Sequence, residues 1–441
     1  MITPDTGKAF AVLFGELVKW DHLSLSVLRF SDVRAPVRKV SDLLTVRKNI
    51  VPPADLAAGK VKMVEKVTFG GEVVIGRERT NMTQFLALPG DVLVSKIRAR
   101  QGSVGVVPPG DPVSVTIHYR VLTPKPGVES EYAWLAFRSN YVRKQFLAAT
   151  GGAAKGEISE DALLEIELPI HPPPTQSKIL AFWHEALCAV TSAQDALADP
   201  VTALNDHLLM EYRSKASRDV MHSRFFALHF KDLDAWDAKS GRAASFRLAC
   251  PSFRPMGDFI EEATDLARPS AEPDKDWPVY GVNNKEGVFL NSHQKGATFN
   301  TPYKRIQKNW FFHNPTRCNV GSLGIVPEVP EDAITSPEYQ VWRLKTNVPE
   351  PMLPGYVACL IQTPFFLELV QFNRVGAVKQ RMYTENLMQV RIPYLPVPEQ
   401  QHYADAREQA RIALTASKKR LDAARQDVEA MILGTKEVRT P

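Results

Sequence analysis

Leu163–Gln176, LLEIELPIHPPPTQ, returns 224 positions later as Leu387–Gln400, LMQVRIPYLPVPEQ. The same relation extends towards the N-terminus. Gly102–Pro108, GSVGVVP, pairs with Gly321–Pro327, GSLGIVP, at an offset of 219, and Tyr119 pairs with Tyr339 at 220. Gly152-Ala153-x-Lys155 pairs with Gly376-Ala377-x-Lys379 at 224, while Phe10-Ala11, Trp20-Asp21 and Asp42 pair with Phe226-Ala227, Trp236-Asp237 and Asp258 at 216. The offset only grows along the chain, as loop insertions in a second copy require. The chain therefore reads as a tandem duplication, with copies at about 10–210 and 226–433.

Each copy has one plan. Short β-branched and aromatic runs broken by Gly and Pro predict strands and turns, with Val92–Ile97 a strand after the turn signal Pro89-Gly90-Asp91. A proline-rich hinge follows: His171-Pro172-Pro173-Pro174 in copy one, and Pro393, Pro396 and Pro398 in copy two. Proline suits the first turn of a helix and no deeper position, so both hinges predict helix starts.

In the first helix Trp183, Val190, Leu197 and Leu204 recur every seven residues, with Ala186 and Ala193 between them. In the second, Leu414, Leu421 and Val428 belong to a seam that also holds Ala410, Ser417, Ala424 and Met431. Such heptad seams predict two long helices that pair antiparallel, each on the order of 50 Å long at ~1.5 Å per residue. Pro200 lacks the N–H that a helix interior needs and predicts an interruption of the first. The expected fold is α+β: two repeated mixed domains, each followed by a long helix, the helices forming an antiparallel coiled coil with pseudo-twofold symmetry. The expected boundaries are a first mixed domain over 1–170, a long helix over 171–212, a second mixed domain over 213–394, a second long helix over 395–433 and a tail over 434–441.

Composition agrees with a globular chain. At roughly 100–200 residues per domain, 441 residues predict two to four domains. With 54 Lys+Arg against 49 Asp+Glu, the net charge is +5, mildly basic, which permits a polyanionic partner without demanding one. The four cysteines (Cys188, Cys250, Cys318, Cys359) have no zinc-finger or CxxC spacing, so no disulfide framework and no metal site are expected. No apolar run of 18 residues occurs, which predicts no membrane span and a cytoplasmic location.

Catalytic motifs fail on inspection. His184-Glu185-x-x-Cys188 lacks the second histidine of a zinc-peptidase helix. Gly151–Gly156 has the spacing of a phosphate-binding loop, but Glu157 stands where the lysine is required. Asn314-Pro315-Thr316-Arg317 lacks the second proline and the aromatic of an amino-methyltransferase tetrapeptide. The chain is therefore expected to perform no chemistry and to have no catalytic residues.

Charge points elsewhere. Between Gly287 and Pro327 stand Lys295, Lys304, Arg305, Lys308 and Arg317 without one acid. In copy one, Lys96, Arg98 and Arg100 alternate along the predicted strand and its end, which places them on one face, and no acid lies between Val92 and Gly110. Gln101 and Asn319 flank the paired glycine runs. Arginine can read guanine, amides can read adenine and lysine holds phosphate. Lys96, Arg98, Arg100, Gln101, Lys304, Arg305, Lys308, Arg317 and Asn319 are thus candidate DNA contacts, with Lys155 and Lys379 as candidate phosphate contacts. The seam residues Trp183, Val190, Leu197, Leu204, Leu414, Leu421 and Val428 are candidates for helix pairing.

These stretches resemble the specificity subunit of a type I restriction-modification system over residues 10–433. NPTRCNVGSLGIV (Asn314–Val326), PGDVLVSKIRARQGSVGVV (Pro89–Val107) and the hinges IELPIHPPPTQ and VRIPYLPVPEQ carry the resemblance. It implies that each globular copy is a target recognition domain for one half of a bipartite site in double-stranded DNA. It further implies that the paired helices dock two methyltransferase subunits, with restriction subunits in the full complex. S-adenosylmethionine, ATP and Mg²⁺ would then be bound by the partners and none by this chain, which would work in the cytoplasm at the nucleoid. Two other readings are a stand-alone nuclease with unrecognised carboxylates and a protein-binding adaptor of another defence complex.

Overall fold

A computed structural model of the chain describes residues 33–76, 83–150, 156–233, 236–376 and 378–438. Lys155, the paired residues before Asp42, and Gly152, Ala153 and Ala377 lie outside the described residues. The chain forms two compact units, Met1–Val190 with Ser417–Pro441, and Thr191–Ala416.

The strands of the first unit are β1 (Val37–Lys39), β2 (Leu44–Arg47), β3 (Lys62–Val67), β4 (Val73–Gly76), β5 (Gln84–Ala87), β6 (Val92–Ser95), β7 (Val104–Val106), β8 (Val113–Thr116), β9 (Tyr119–Pro124) and β10 (Glu167–Pro169). They form one sheet in the order β2-β9-β6-β7, a second in the order β4-β3-β8-β5, and the pair β1-β10. Every residue of β6 is buried, as a Val-Leu-Val run between layers requires. Val64, Val67, Leu93, Val113, Val115 and Val121 form a core drawn from both sheets. Helices α1 (Ser130–Arg138), α2 (Asn140–Ala149) and α3 (Glu160–Leu164) precede β10, and α4 (Pro173–Lys215) follows the hinge.

The second unit opens with α5 (Ala238–Ala249). Its strands are β11 (Arg254–Pro255), β12 (Ile260–Glu262), β13 (Leu266–Ala267), β14 (Asp276–Asn283), β15 (Gly287–Lys295), β16 (Tyr303–Arg305), β17 (Phe311–His313), β18 (Leu323–Ile325), β19 (Ile334–Thr335), β20 (Gln340–Leu344) and β21 (Arg391–Ile392). The sheet β12-β20-β17-β18 repeats β2-β9-β6-β7, and the pair β11-β21 repeats β1-β10. In the remaining sheet, β15-β14-β19-β16 repeats β4-β3-β8-β5 down to the single parallel pairing, β14 with β19 and β3 with β8. Among the strands of the described residues, the second copy adds the edge strand β13. Helices α6 (Pro354–Leu360), α7 (Pro364–Asn373), α8 (Thr384–Gln389) and α9 (Val397–Ile432) match α1 to α4 in order. The fold is thus α+β, two mixed units of one topology, each copy running into a long helix.

The repeat reaches individual side chains. Ser139 and Thr363, 224 apart, each cap the next helix: Ser139 Oγ accepts from the Val142 N–H and Thr363 Oγ1 from that of Phe366. Gln176 is fully buried; its Oε1 accepts from the Glu129 N–H at 2.9 Å, and its Nε2 donates to the Gly127 and His171 carbonyls at 2.9 and 2.7 Å. Gln400, also fully buried, accepts from the Leu353 N–H at 2.9 Å and donates to the Pro351 and Leu395 carbonyls at 3.2 and 2.8 Å. Each partner of Gln400 is the partner of Gln176 shifted by 224.

In each unit the start of one long helix meets the end of the other. In the first, His171 Nε2 is 2.9 Å from the Met431 carbonyl, and Glu429 accepts the Asn140 N–H at the start of α2 at 2.6 Å. In the second, His207 Nδ1 is 3.0 Å from the Tyr403 hydroxyl, and Asn205 accepts the Phe365 N–H at the start of α7 at 2.9 Å. The helix ends are also bound by apolar packing: Leu204, Leu208 and Tyr212 belong to the core of the second unit with Phe246, Phe365 and Trp342. Trp183, Val190, Leu204, Leu421 and Val428 are buried, and Leu197 and Leu414 partly so.

Two expectations need correction. Pro200 does not interrupt the first long helix, which runs unbroken from Pro173 to Lys215. Pro200 is buried, seven residues after the buried Ala193 and so in register with the seam. The strand predicted over Val92–Ile97 ends at Ser95, and the residues after it turn.

No single helix among the described residues is long and apolar enough to cross a membrane. The bent pair α6–α7 approaches that composition because Tyr356–Ile361, Phe365 and Phe366 belong to the buried core.

Gln176→Leu keeps the side chain's bulk but takes the amide partner from two carbonyls and one N–H in a part-buried setting. Chemical unfolding of the variant should show a loss of about 3 kcal/mol. A loss below ~1 kcal/mol would mean that water replaces the amide.

Candidate nucleic-acid interface

The runs shared at an offset of 219 form one turn in both units. After β6, residues 96–98 turn, Ala99–Gln101 form a short 3-10 helix, and Gly102 takes a left-handed backbone (φ 97°) before β7. After β17, residues 315–317 turn, Cys318–Val320 form the 3-10 helix, and Gly321 takes φ 86° before β18.

The backbone bonds coincide. The Ser95 N–H donates to the Ser103 carbonyl as Asn314 donates to Ser322, and the Ser103 N–H donates to Arg98 as Ser322 donates to Arg317. Val107 donates to Asp91 and accepts from Gly90; Val326 donates to Trp310 and accepts from Asn309. Asn309 (φ 65°) is the one non-glycine residue with positive φ among the described residues, and it stands where the first copy has Gly90 (φ 87°). A side chain at Gly102 would also meet the Phe69 carbonyl at 2.8 Å.

This turn, and not a strand face, holds the first basic cluster. Lys96, Arg98 and Arg100 do not share one face of a strand, because the Arg98 N–H bonds to Ser95 Oγ at 3.1 Å and bends the chain. Arg98 is exposed with its guanidinium 6.0 Å from the Phe69 ring, Gln101 is exposed, and Lys96 and Arg100 are partly buried. In the second unit Arg317 occupies the place of Arg98 and is exposed, and Asn319 occupies that of Arg100.

The remaining candidates are more engaged. Lys308 pairs with Glu328 at 2.5 Å, just beyond the acid-free stretch, and Arg305 Nη1 donates to the Glu331 carbonyl at 3.4 Å. Lys304 lies on β16, and burial holds its pKa below the usual lysine value against the attraction of Glu262. Lys379 is exposed in the loop after α7.

Sequence reading missed two arginines that back the first turn. Arg138 Nη1 donates to the Gly102 carbonyl at 2.8 Å, and Arg143 Nε donates to that of Arg100 at 3.2 Å. Burial, with repulsion from Arg143 and Arg425, lowers the Arg138 pKa to about 10. Arg138 also lies over the Trp134 ring, 5.3 Å from its centroid, and Trp134 packs edge-on to Trp183 of the long helix. Arg138 and Arg143 stand on α1 and α2, some 40 residues beyond the turn, so no local pattern announced them.

His313, at the end of β17, is fully buried. Its Nε2 donates to the Met382 carbonyl at 2.9 Å and its Nδ1 accepts from Trp342 Nε1 at 3.2 Å, which defines a neutral ring. Burial lowers its pKa to about 4.

Residues 34–186 match the family model of the type I restriction modification DNA specificity domain, in agreement with the resemblance read from the sequence. No curated protein matches the chain. Three solved structures are similar to it. One is titled as the structural basis of complex assembly and conformational transition of the type I R-M system (13% identity, 91% of this chain and 98% of that one, TM-score 0.40). Another is the S subunit of a type I restriction-modification system from M. genitalium (14%, 91% and 95%, TM-score 0.40). The third is the HsdS subunit from Thermoanaerobacter tengcongensis (13%, 90% and 94%, TM-score 0.31).

Unfolded, a histidine binds its proton near pH 6.5; folded, His313 does so only near pH 4. Its contribution to stability is therefore complete above pH 6.5 and lost as pH falls to 4, about 3 kcal/mol in all. Unfolding free energies at several pH values should fall less steeply over this window for His313→Gln than for the parent. Parallel curves would refute the assignment.

Proposed function

With a type I restriction modification DNA specificity domain at residues 34–186 as its premise, we propose that this chain is the DNA-reading specificity subunit of such a system. Each unit reads one half of a bipartite, asymmetric site in double-stranded DNA. The carrying observation is the pair of turns: a shared set of backbone bonds, with Arg98, Arg100 and Gln101 on one and Arg317, Asn319 and Val320 on the other. A common frame with divergent side chains is what two readers of different half-sites need. Arg98 and Arg317 are assigned to base edges or phosphates, Gln101 and Asn319 to base edges, and Lys96, Lys304, Arg305, Lys308 and Lys379 to phosphates.

In this reading the long helices space the two readers and dock the partners. At ~1.5 Å per residue α9, with 36 residues, spans about 54 Å. The chain itself is non-catalytic. A methyltransferase must flip its target base out of the stack, so it has to be held beside the site, and the helices offer the place. Two methyltransferase subunits would bring S-adenosylmethionine, and restriction subunits would bring ATP and Mg²⁺ chemistry, in the cytoplasm at the nucleoid.

Co-expression with a methyltransferase subunit should modify host DNA at a two-part motif with a fixed gap; an undivided motif refutes the reading. Arg317→Ala should cost about 1–3 kcal/mol on the cognate site and relax one half only. Uniform weakening on every sequence would reassign Arg317 to phosphate. Binding should also weaken steeply with salt, and a flat salt dependence would favour a protein partner.

A further inference from the structure

The β3–β4 hairpin of the first unit ends in Thr68-Phe69-Gly70-Gly71-Glu72, and this tip is clasped against the turn that carries Arg98. Ser103 Oγ donates to the Val67 carbonyl at 2.8 Å. A side chain at Gly105 would stand 2.6 Å from the Gly71 carbonyl. One at Gly71 would stand 2.5 Å from Trp134 Nε1 and 2.8 Å from Arg138 Nη1. Hairpin, turn and α1 thus leave no room for a methyl group between them.

The ring on this tip is not part of that packing. Phe69 is 53% exposed, the one exposed phenylalanine, tyrosine or tryptophan among the described residues of the first unit. A lone exposed apolar side chain is ordinary, but here the backbone beneath it is fixed against the turn, β7 and α1 while the ring faces solvent. Arg98, also exposed, holds its guanidinium 6.0 Å from the ring centroid, less than two base-pair rises of ~3.4 Å.

The second unit keeps the hairpin and changes the residue. Val282 pairs with Val288 as Val67 pairs with Val73, so the two tips have equal length and Asn284 stands where Phe69 does. A side chain at Gly321 would meet Asn284 Cβ at 3.3 Å, as one at Gly102 would meet the Phe69 carbonyl. Asn284 is exposed as well.

We propose that Phe69 is a specificity-determining residue, whose ring packs on the C5 methyl group of a thymine in the first unit's half-site, within two base pairs of the position that Arg98 meets. This deepens the DNA reading proposed above and rests on it. A phenyl ring has no donor or acceptor, so it cannot read a base edge by hydrogen bonding. The thymine methyl is the one apolar group that a base pair shows in the major groove. Glu72 carries the only charge on the tip, which disfavours a phosphate and leaves base edges as the partner. A clasped hairpin suits the task, because a methyl contact contributes little unless the ring arrives already in place. Asn284 cannot make that contact, so the preference belongs to one half-site.

The test is competition binding by the full chain with methyltransferase subunits, on a duplex that carries the mapped two-part motif. Each thymine of either half is replaced in turn by deoxyuridine, which deletes the C5 methyl alone. One replacement, in one half, should weaken binding about fourfold, the worth of one buried methyl group. Phe69→Ala and Phe69→Asn, the residue of the second unit, should each weaken the thymine duplex by a similar factor and abolish the thymine–uracil difference, with the melting temperature unchanged. Phe69→Leu should restore part of that difference. A motif without thymine in either half, indifference to every replacement, or a difference that survives Phe69→Ala would each overturn the proposal. Equal weakening of Phe69→Ala on thymine, uracil and scrambled duplexes would overturn it in favour of a wedge between bases. A parent complex that does not prefer the motif to scrambled DNA fails the DNA reading and this proposal together; one that prefers it and ignores uracil fails this proposal alone.

Discussion

Two buried glutamine amides set how everything else is placed. Gln176 and Gln400 each tie the residue before a domain helix, a carbonyl two positions earlier and the hinge carbonyl into one three-bond knot. An amide suits the position because it offers an acceptor and two donors with no charge to desolvate. The hinge prolines set the backbone angle of departure, and the glutamine anchors that departure to the domain. A long helix transmits any error at its start along its whole length. A device that fixes the first turn is therefore worth more here than anywhere further along.

The far ends of the helices are fixed by exchange. Glu429, from the second copy, accepts the first N–H of α2, and Asn205, from the first copy, accepts an N–H at the start of α7. Helix N-termini carry unpaired N–H groups and a positive end, so a carboxylate or amide oxygen there is stabilising. Each unit is thereby completed by residues that the chain supplies from 289 and 160 positions away. Neither copy contains its whole structure.

The two matched turns show how a frame can be kept while the side chains on it change. Their geometry depends on backbone bonds and on one left-handed residue, which glycine occupies in both copies. Side chains on the outer bend are outside that constraint. The first turn is backed by Arg138 and Arg143, whereas in the second Gln362 reaches the Leu323 carbonyl. The two turns therefore differ in charge behind the bend as well as on it.

The duplication was visible in the amino-acid order, because hinge prolines and turn glycines act over a few positions and recur at a near-constant offset. Both long helices were visible for the same reason: proline at the start and a seven-residue apolar period are local signals. The fate of Lys96, Arg98 and Arg100 was not, since a hydroxyl three residues back ends the strand, and alternation in charge says nothing of that bond. Nor was the continuity of the helix through Pro200, a position the fold buries. The arginines behind the first turn, the hairpin clasped against it and the ion pair that occupies Lys308 join residues from separate elements. Such groupings exist only after packing, where burial and the local excess of charge depend on which distant segments meet.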